Sequence, residues 1–472
     1  MAASANGTQE KKATLKGSLL ILVISVIVLM YGIIGLSLDP KIPLLLCTLI
    51  MMFYGMHLKI SWDAMMKSAF KSIASSLEAM LIIMTIGMVI GSWVSGGTVP
   101  FVIYWGLKIF SPQAVLPFTV VICAIMSTLT GSSWTTAGTV GVAFLGIATS
   151  MGIPAAVTVG AICCGSFFGD VQSPMSDGFN FAAAISGSNL YKSAKELLCT
   201  TIPALVLSVV IFAIIGANYS AANASASMQI ETTLSGLEST YNLNVLCLLP
   251  VIVMIVMMIR KAPAVATMLS AATAGVLVTI FVQHQSLAAS LGYLVDGYVG
   301  NTGIADVDRI ITRGGITGMM GTIALMFFSL WMAGVMQRTG MMDVILEHLA
   351  RIVTKLFPLT TLTTVVTFVM SYFAADPYLA MTLPAKSLDK AYDKLGLSRS
   401  ILCRSIANAV FFAPMVPWGS GGVYVTATLG VATMQYIPYY FAGYLSPIFC
   451  ILLAALNKFQ TKAEKVSEAK EA

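Results

Sequence analysis

Charged residues are scarce in this sequence of 472 residues: they make up 10% of it, whereas 57% of the residues are hydrophobic and the mean hydropathy is +0.88. A soluble domain carries roughly 25% charged residues. Such an excess of apolar surface is stable only if lipid is its solvent. The apolar runs 18–34, 77–90 and 202–215 approach or reach the length that crosses about 30 Å of hydrocarbon. The composition therefore predicts an all-α polytopic membrane protein.

Several sequence motifs are also missing, and each absence argues against a class of function. The sequence has no Walker A motif, so nothing in it suggests that ATP drives the protein. It also has no H-E-x-x-H motif and no nucleophile with a matching base, so nothing suggests an intramembrane enzyme. The eight cysteines include no C-x-x-C, so they are expected to be small hydrophobic side chains. We expect no catalytic residues, no resident cofactor and no nucleic-acid partner.

The lysines and arginines predict a topology, because cytoplasmic loops are enriched in both. They cluster near 11–16, 59–71 and 192–195 in the first half, and the stretch 217–243 has none. In the first half we predict spans at 18–37, 42–58, 76–95 and 200–216, a re-entrant hairpin at 114–150 broken at Gly131, and a broken helix at 154–187. In the second half we predict spans at 244–259, 264–282, 314–336 and 437–457, a hairpin at 358–385, and a broken helix at 400–430.

Each half then has about five spans plus one re-entrant hairpin. Because the first half crosses the membrane an odd number of times, the second half starts on the opposite side and is inverted relative to the first. A weak repeat agrees: at an offset of 244, six identities relate residues 152–180 to 396–424. Inverted repeats with helices broken at the midplane are typical of secondary transporters. The predicted organisation is a cytoplasmic tail (1–17), a first repeat (18–216), an external linker (217–243), an inverted repeat (244–457) and a cytoplasmic tail (458–472).

Two polar segments interrupt the apolar runs of the first half. The first contains Thr130, Ser132 and Ser133 at the predicted hairpin tip, where hydroxyls and free carbonyls could replace the hydration shell of a small cation. The alternative is a loop between two ordinary spans. The second runs from Gly169 to Asn180 and carries Asp170, Ser173, Asp177 and Asn180 around a proline. A carboxylate at mid-bilayer costs roughly 2.5–3.5 kcal/mol, so it persists only if paired, cation-bound or protonated; the alternative is a loop at the membrane surface.

The second half contains two corresponding segments. Asp376 precedes a proline at the second predicted hairpin tip, and it is the only carboxylate there. Asn408, Trp418 and Ser420 lie in a Pro- and Gly-rich broken helix without a carboxylate, which could offer an amide, an aromatic wall and a hydroxyl. Packing glycines are the alternative for that segment. Asp170, Asp177 and Asp376 are thus the candidate sodium ligands.

The sequence resembles the NhaC-type sodium/proton antiporter family, part of a wider superfamily of inverted-repeat ion transporters. The resembling residues are Thr130-Gly-Ser-Ser-Trp with Gly138-Thr-Val-Gly-Val, Phe168-Gly-Asp with Ser173-Pro-Met-Ser-Asp177 and Asn180, Arg313-Gly-Gly, Asp376-x-Tyr, and Pro417-Trp418. The resemblance implies a prokaryotic cytoplasmic membrane protein that works by alternating access, with two re-entrant hairpins and a homodimeric state. It also matches Asp170, Ser173, Asp177 and Asp376 to the characteristic polar positions of the family. The lysines near both ends of the chain predict that both termini are in the cytoplasm.

The sequence departs from the family pattern in two places. Ile406-Ala407 stands where exchangers of the family tend to carry an acidic pair, and Gly419 follows Pro-Trp where they tend to have Asn. We therefore expect a sodium-coupled secondary transporter, first of all a sodium/proton antiporter. The alternative is a sodium-coupled symporter or exchanger of a small organic solute, such as an amino acid or a carboxylic acid. The coupling ion is sodium, the proton or both.

Overall fold

The structure is a computed structural model, and it describes residues 10–219, 224–260, 262–352 and 355–459. Within these ranges the regular secondary structure is helical, with one isolated two-residue β-bridge. Eight of the described helices are long and apolar enough to cross a membrane, or up to eleven if each of three bent pairs counts as one span. The prediction of an all-α polytopic membrane protein is confirmed.

The first half contains eleven α-helices: α1 Leu15–Met30, α2 Lys41–His57, α3 Trp62–Ser75, α4 Leu77–Ser95, α5 Thr98–Ile109, α6 Pro112–Thr130, α7 Ser133–Thr136, α8 Val142–Ser150, α9 Ala155–Gln172, α10 Asp177–Ser186 and α11 Leu190–Ala217. Two π-helical stretches, Tyr31–Gly35 and Ala137–Gly141, extend α1 and connect α7 to α8. Helix α12, Ala224–Thr240, follows the first half.

The second half contains thirteen: α13 Leu249–Ile259, α14 Ala264–Phe281, α15 Leu287–Asp296, α16 Ala305–Ile311, α17 Ile316–Thr339, α18 Met341–Ile352, α19 Leu356–Ala374, α20 Pro377–Lys394, α21 Arg399–Ile406, α22 Asn408–Phe412, α23 Ser420–Leu429, α24 Thr433–Tyr436 and α25 Phe441–Ala455. Short 3₁₀ turns at Val245–Leu248, Ala413–Met415 and Ile437–Tyr439 precede or link them.

Helices occupy the predicted spans, two helix–turn–helix segments occupy 114–150 and 358–385, and helices break within 154–187 and 400–430. That the two helix–turn–helix segments are re-entrant stays a prediction, and the segments between these elements are more helical than expected. Helices α3, α5, α15, α16 and α18 lie where only loops were predicted, and α12 occupies most of the presumed linker 217–243. These helices are short or carry more polar residues, so they lack the long apolar run on which the predictions relied. The assignment of 1–9 and 460–472 to cytoplasmic tails falls outside the described residues.

The weak sequence repeat has a counterpart in the helix boundaries. Helix α19 begins and ends 244 residues after α6, and α20 begins and ends 244 residues after the segment from α7 to α8. Both hairpins turn in the same way. Gly131 and Ala375 adopt left-handed backbone conformations with φ of 70° and 56°, and the next residue, Ser132 or Asp376, caps the returning helix. The opposite orientation of the two halves in the membrane stays a prediction.

Close packing between α6 and α9 holds the first hairpin against the first broken helix. A Cβ on Gly165 would lie 2.3 Å from the carbonyl oxygen of Val120, and one on Gly169 would lie 2.4 Å from the amide nitrogen of Thr128. Because only glycine leaves room for such backbone approaches, the two helices pack tightly just before Asp170. The end of α9 is thereby fixed beside the hairpin tip.

Candidate ion-binding site

Asp170 lies in the last turn of α9, where the tip of the first hairpin meets the break between α9 and α10. One carboxylate oxygen accepts hydrogen bonds from the amide of Ser133 at 3.2 Å and from its hydroxyl at 2.5 Å. The other accepts from the hydroxyl of Ser176 at 2.5 Å. Asp170 therefore joins the N-terminus of α7 to the cap of α10, and two hydroxyl oxygens surround it.

The other predicted residues of the first hairpin tip shape its backbone. The hydroxyl of Ser132 accepts from the amide of Thr135 at 3.2 Å, which caps α7. The hydroxyl of Thr130 accepts from the amide of Ser132 at 3.3 Å. Both side chains therefore hold the turn that presents Ser133 to Asp170.

The polar residues at the break between α9 and α10 are of two kinds: some bond to the backbone, and one has no such bond. Ser173 accepts from the amide of Met175 at 3.2 Å, and the side-chain amide of Asn180 donates to the carbonyl of Pro174 at 2.9 Å. These two residues stabilise the break. Asp177 begins α10 and is exposed, and within the described part of the chain its carboxylate has no hydrogen bond or ion pair.

Asp376 is the N-cap of α20 and only 8% of it is exposed. One of its oxygens accepts from the amides of Tyr378 and Leu379 at 2.9 and 3.1 Å. The other faces the hydroxyl of Ser76 at 3.5 Å, just before α4. Asp376 is thus a helix cap and, through its second oxygen, a polar contact to the first half of the chain.

The break before α23 contacts the second hairpin tip, and it is more closed than the first break. The amide of Ser420 donates to the carbonyl of Ala375 at 2.8 Å, and the indole N–H of Trp418 donates to the carbonyl of Tyr372 at 2.8 Å. Trp418 is only 2% exposed. The indole therefore fills the space at this break.

Asn408 takes part in helix packing away from the carboxylates. Its side-chain amide donates to the carbonyls of Arg404 and Ser405 at 3.1 and 3.2 Å, and its oxygen accepts from Ser446 at 2.9 Å. These bonds join α22 to α21 and α25. In this conformation the polar atoms of the Asn408 side chain are engaged in contacts between helices.

Tyr378, in the first turn of α20, lies where segments that carry carboxylates meet. Its amide donates to Asp376, which faces Ser76 two positions before Glu78. Its ring contacts Phe181 in α10, the helix that begins at Asp177. Glu78 and Asp177 are exposed, and 39% of Tyr378 is exposed. Because carboxylates facing lipid would be costly, we infer that the exposed surface around Tyr378, Glu78 and Asp177, here called the cleft, faces water. The cleft joins residues from both halves of the chain.

Sequence analysis missed several residues of this cleft. Ser176 was visible only as one identity in the repeat, and Ser76 and Glu78 precede or begin a span as an ordinary polar boundary would. Tyr378 was visible as the third residue of Asp376-x-Tyr. Helix α4 brings Ser76 and Glu78 to Asp376, which lies 300 positions away from Ser76. Only the tertiary fold reveals that contact.

Two aromatic pairs join each hairpin to the broken helix of the other half. Trp134 stacks on Tyr424, with ring centroids 4.5 Å apart and an interplanar angle of 17°, and the Tyr424 hydroxyl donates to the carbonyl of Trp134. Tyr378, 244 positions after Trp134, meets Phe181 edge-on at 5.3 Å. Tyr424 is fully buried, whereas Tyr378 is not. The Trp134–Tyr424 pair is therefore closed to solvent at Tyr424, whereas the Tyr378–Phe181 pair borders the cleft.

Among the described residues, no three Asp, Glu, His or Cys side chains are arranged to hold one metal ion together. A site that combined Asp170, Asp177 and Asp376 as direct ligands of one ion is therefore not formed in this conformation. A monovalent cation needs fewer charges, and hydroxyl and carbonyl oxygens can supply the remaining ligands. Asp170 with Ser133 and Ser176 is such an oxygen set.

Comparison with known proteins decides the family. The profile of the Na+/H+ antiporter family matches residues 165–458, which include the break between α9 and α10, the second hairpin and the second broken helix. The chain belongs to the Na+/H+ antiporter family. It is therefore a multi-pass membrane protein of a transporter family, and the resemblance inferred from the polar motifs is confirmed.

Relatives with different printed activities match nearly the whole chain. The Na+/H+ antiporter NhaC of Alkalihalophilus pseudofirmus is 34% identical over 95% of this chain and 97% of its own length. The arginine/ornithine antiporter ArcD of Halobacterium salinarum is 32% identical over 94% and 92%. The malate-2H+/Na+-lactate antiporter of Bacillus subtilis is 30% identical over 91% and 94%. Antiport is common to these names, and the substrate differs.

Proposed function

We propose that this protein exchanges sodium for protons across the membrane, with Asp170 as the carboxylate that each ion neutralises in turn. The observation that carries the proposal is the carboxylate of Asp170 between the first hairpin tip and the first broken helix, where the hydroxyls of Ser133 and Ser176 lie 2.5 Å from its oxygens. A carboxylate surrounded by hydroxyl oxygens attracts cations and repels anions. Membership of the Na+/H+ antiporter family supports the same ions.

The position of Asp170 explains how exchange could arise. A carboxylate taken out of water is costly unless a proton, a cation or hydrogen bonds compensate its charge. Sodium would bind the carboxylate with the hydroxyl oxygens of Ser133 and Ser176, which lie 2.5 Å from it. A proton would neutralise the same carboxylate without these oxygens as ligands. Because one ion excludes the other, each crossing carries either sodium or a proton, and exchange follows.

A second candidate is sodium-coupled transport of a small organic solute. The second broken helix offers no carboxylate: Ile406, Ala407 and Gly419 are buried there, beside the indole of Trp418. The cleft exposes Met175 (45%) and Tyr378 (39%), which could contact the apolar part of a solute. Two of the relatives are named for malate and lactate or for arginine and ornithine. These features favour a solute larger than an ion.

The cellular setting is part of the proposal. The clusters of Lys and Arg favour a cytoplasmic location of both termini. The family resemblance supports a prokaryotic cytoplasmic membrane and a homodimer.

Flux measurements in proteoliposomes separate the two candidates. The purified full-length chain is reconstituted with a pH-sensitive dye inside, and sodium chloride is then added outside. Sodium/proton exchange predicts an immediate rise of the internal pH with sodium alone, because protons leave as sodium enters, and potassium chloride serves as the control. If proton or sodium movement requires an added amino acid or carboxylic acid, simple exchange is wrong and solute transport is supported. Liposomes without protein give the background.

A further inference from the structure

A pocket with apolar walls lies between the second hairpin and the end of α17. Its volume is about 230 Å³, and α17, α18, α19 and α20 all contribute to it. Its walls consist of five buried apolar side chains: Ala333, Met336, Met342, Met370 and Ala374. An apolar cavity of about 150 Å³ stays dry and takes up benzene, because water finds no hydrogen-bond partners in it. This pocket therefore has room for a hydrocarbon segment larger than benzene.

The border of the pocket is apolar on one side and polar on the other. Two partly exposed leucines, Leu379 and Leu383, form the apolar side. The polar side consists of exposed or partly exposed residues: Gln337, Asp343, Thr382 and Lys386. Asp343 and Lys386 carry opposite charges, yet neither forms an ion pair within the described part of the chain. An occupant with an apolar chain and a group of both charges would complement the walls and the border together.

The charged border lies at the depth where lipid headgroups are expected. Asp376, at the tip of the second hairpin, is expected near the midplane, and Lys386 follows it by ten residues in α20. Ten residues of α-helix rise about 15 Å, which is half of about 30 Å of hydrocarbon. Ala374, two residues before Asp376, also lines the pocket. The pocket thus extends from the headgroup level toward the midplane, as a lipid chain does.

Helix α18 has the pattern of a helix that lies on a membrane surface. Met342 and Leu346 are only 4% and 1% exposed, whereas Asp343 and Glu347 are exposed. Asp343 and Glu347 are one turn apart on the same face. Burial and the charge of Glu347 raise the pKa of Asp343. An ammonium group bound there would offset the repulsion between the two carboxylates.

The N-terminal segment of the chain matches the pocket poorly. Glu10 pairs with Arg338 at 2.5 Å, which places residue 10 beside the neighbour of Gln337 at the border of the pocket. The nine residues before Glu10 contain one large apolar side chain, Met1. We therefore expect the occupant of the apolar walls to come from the membrane.

We propose that this pocket binds a zwitterionic phospholipid of the cytoplasmic leaflet, with an acyl chain along the apolar walls, the phosphate at Lys386 and the ammonium group at Asp343. A primary ammonium group offers three N–H donors to a carboxylate, whereas the methylated nitrogen of phosphatidylcholine offers none, so the site fits phosphatidylethanolamine. A headgroup with only negative charge would be repelled by Asp343. The bound chain would pack against Ala374 and Leu379, which flank Asp376, and would hold the second hairpin in place.

Titration with defined lipids tests the site on the purified, delipidated full-length protein. Phosphatidylethanolamine, phosphatidylcholine and phosphatidylglycerol of equal chain length are the probes, and native mass spectrometry measures their binding. Phosphatidylethanolamine should bind most tightly. Lys386→Gln should weaken its binding roughly tenfold or more, the effect of losing a charge-assisted hydrogen bond. The matched control is Lys394→Gln, which should bind like the unaltered protein, because Lys394 is an exposed lysine about 12 Å further along α20 and outside the pocket.

Two further variants test the chain and the ammonium group separately. Ala333→Phe fills the pocket and keeps both charges at the border, so it should abolish the tight binding of phosphatidylethanolamine. Asp343→Asn should remove the preference for phosphatidylethanolamine over phosphatidylcholine. Lys386→Gln and Asp343→Asn change exposed side chains, so they test the site even if Ala333→Phe fails to fold. Because binding is measured without an ion gradient, its result is independent of sodium/proton exchange.

Three results would overturn the proposal. The first is equal affinity of the unaltered protein for the three lipids, or unchanged binding of phosphatidylethanolamine in Lys386→Gln. The second is displacement of the lipid by free leucine, which would show that the pocket takes a soluble zwitterion. The third is that the full-length protein binds no lipid in the pocket until residues 2–9 are removed, which would assign the pocket to that segment.

Discussion

Asp376 has two possible roles at the scale of a single residue, because it caps α20 and also lies among the carboxylates around Tyr378. The cap needs only an oxygen acceptor, whereas attraction of a cation needs the charge. Asp170 is different, because its carboxylate oxygens accept hydrogen bonds from the hydroxyls of Ser133 and Ser176 and from the amide of Ser133, which lie on other helices or their caps. Substitutions that keep the acceptor and remove the charge can separate these roles.

Asp376→Asn and Asp376→Ala separate the cap from the charge. Asn caps helices about as well as Asp, so Asp376→Asn should change the free energy of unfolding by only a few tenths of a kcal/mol. Asp376→Ala leaves the amides of Tyr378 and Leu379 without their acceptor and should cost about 0.5–2 kcal/mol. Denaturation of the detergent-solubilised protein measures both. Equal destabilisation by the two variants would show that the charge, and not the cap, stabilises the second hairpin.

Ser176→Ala tests whether the hydroxyls around Asp170 serve as ion ligands. The variant removes one oxygen that lies 2.5 Å from the carboxylate, so the sodium concentration for half-maximal flux should rise roughly tenfold. Ser186→Ala is the control, because Ser186 is a buried serine at the end of α10 that bonds to the carbonyl of Ala183 and to Ser188. An unchanged sodium dependence in Ser176→Ala, with normal insertion, would remove Ser176 from the site.

At the scale of elements, the same contact occurs in both halves: the tip of a hairpin packs against the break of a broken helix. Gly131 packs against the backbone of Met175 and Ser176, and Ala375 accepts from the amide of Ser420, in each case with a spacing of 244 residues between equivalent positions. The first contact is closer, since it excludes even a Cβ. The second tolerates the side chain of alanine.

Gly131→Ala should therefore disturb the site through packing. Its Cβ would lie 2.6 Å from the carbonyl carbon of Met175, and φ of +70° adds strain. Gly430→Ala is a matched control, because it has a φ of +72° and no atom within 4 Å of the new Cβ. We expect Gly131→Ala to lose most of the flux and Gly430→Ala to lose about 1 kcal/mol of stability with most of the flux retained. Comparable flux in both variants would contradict a tight contact between tip and break.

How much the sequence revealed also differs between elements. The long apolar runs predicted the spans, and the glycines and prolines within them predicted both hairpins and both broken helices. Short polar helices such as α3 and α18 were missed, because their burial depends on partners distant in the chain. Asp170 was predicted from a carboxylate in an apolar run, and it lies between a hairpin tip and a break. Asn408 was predicted from a broken helix, but its side chain bonds to neighbouring helices, and a buried amide in helix packing has the same local sequence pattern. Tyr378 and Ser76 became site residues only through contacts between the two halves.

At the scale of the whole molecule, the two breaks differ in exposure. Met175 in the first break is 45% exposed, whereas Gly419, 244 positions later in the second break, is buried. The Tyr378 pair borders the open cleft, and the Trp134–Tyr424 pair is closed. If the two halves are inverted relative to each other, closing the first break and opening the second would expose the site to the opposite side of the membrane.

Cysteine labelling tests that inversion. Met175→Cys and Gly419→Cys, in a background where reactive native cysteines are replaced, are treated with a membrane-impermeant thiol reagent from either side of oriented vesicles. Met175→Cys should react from one side and Gly419→Cys only from the other, and conditions that protect one should expose the other. Reaction of both from the same side would show that the halves are parallel. Reaction of neither would place the breaks away from any aqueous path.

The central claim is that one carboxylate, Asp170, accepts sodium and the proton in turn. The most direct measurement is sodium-driven proton flux in proteoliposomes that contain Asp170→Asn, compared with the unaltered protein at equal reconstitution. An amide can accept from Ser133 through its oxygen and donate to the hydroxyl of Ser176 through its NH2 group, but it carries no charge for either ion to neutralise. We therefore predict a folded, inserted protein without sodium-driven proton movement or sodium uptake. Sodium-driven proton flux at the normal rate in Asp170→Asn would contradict the account.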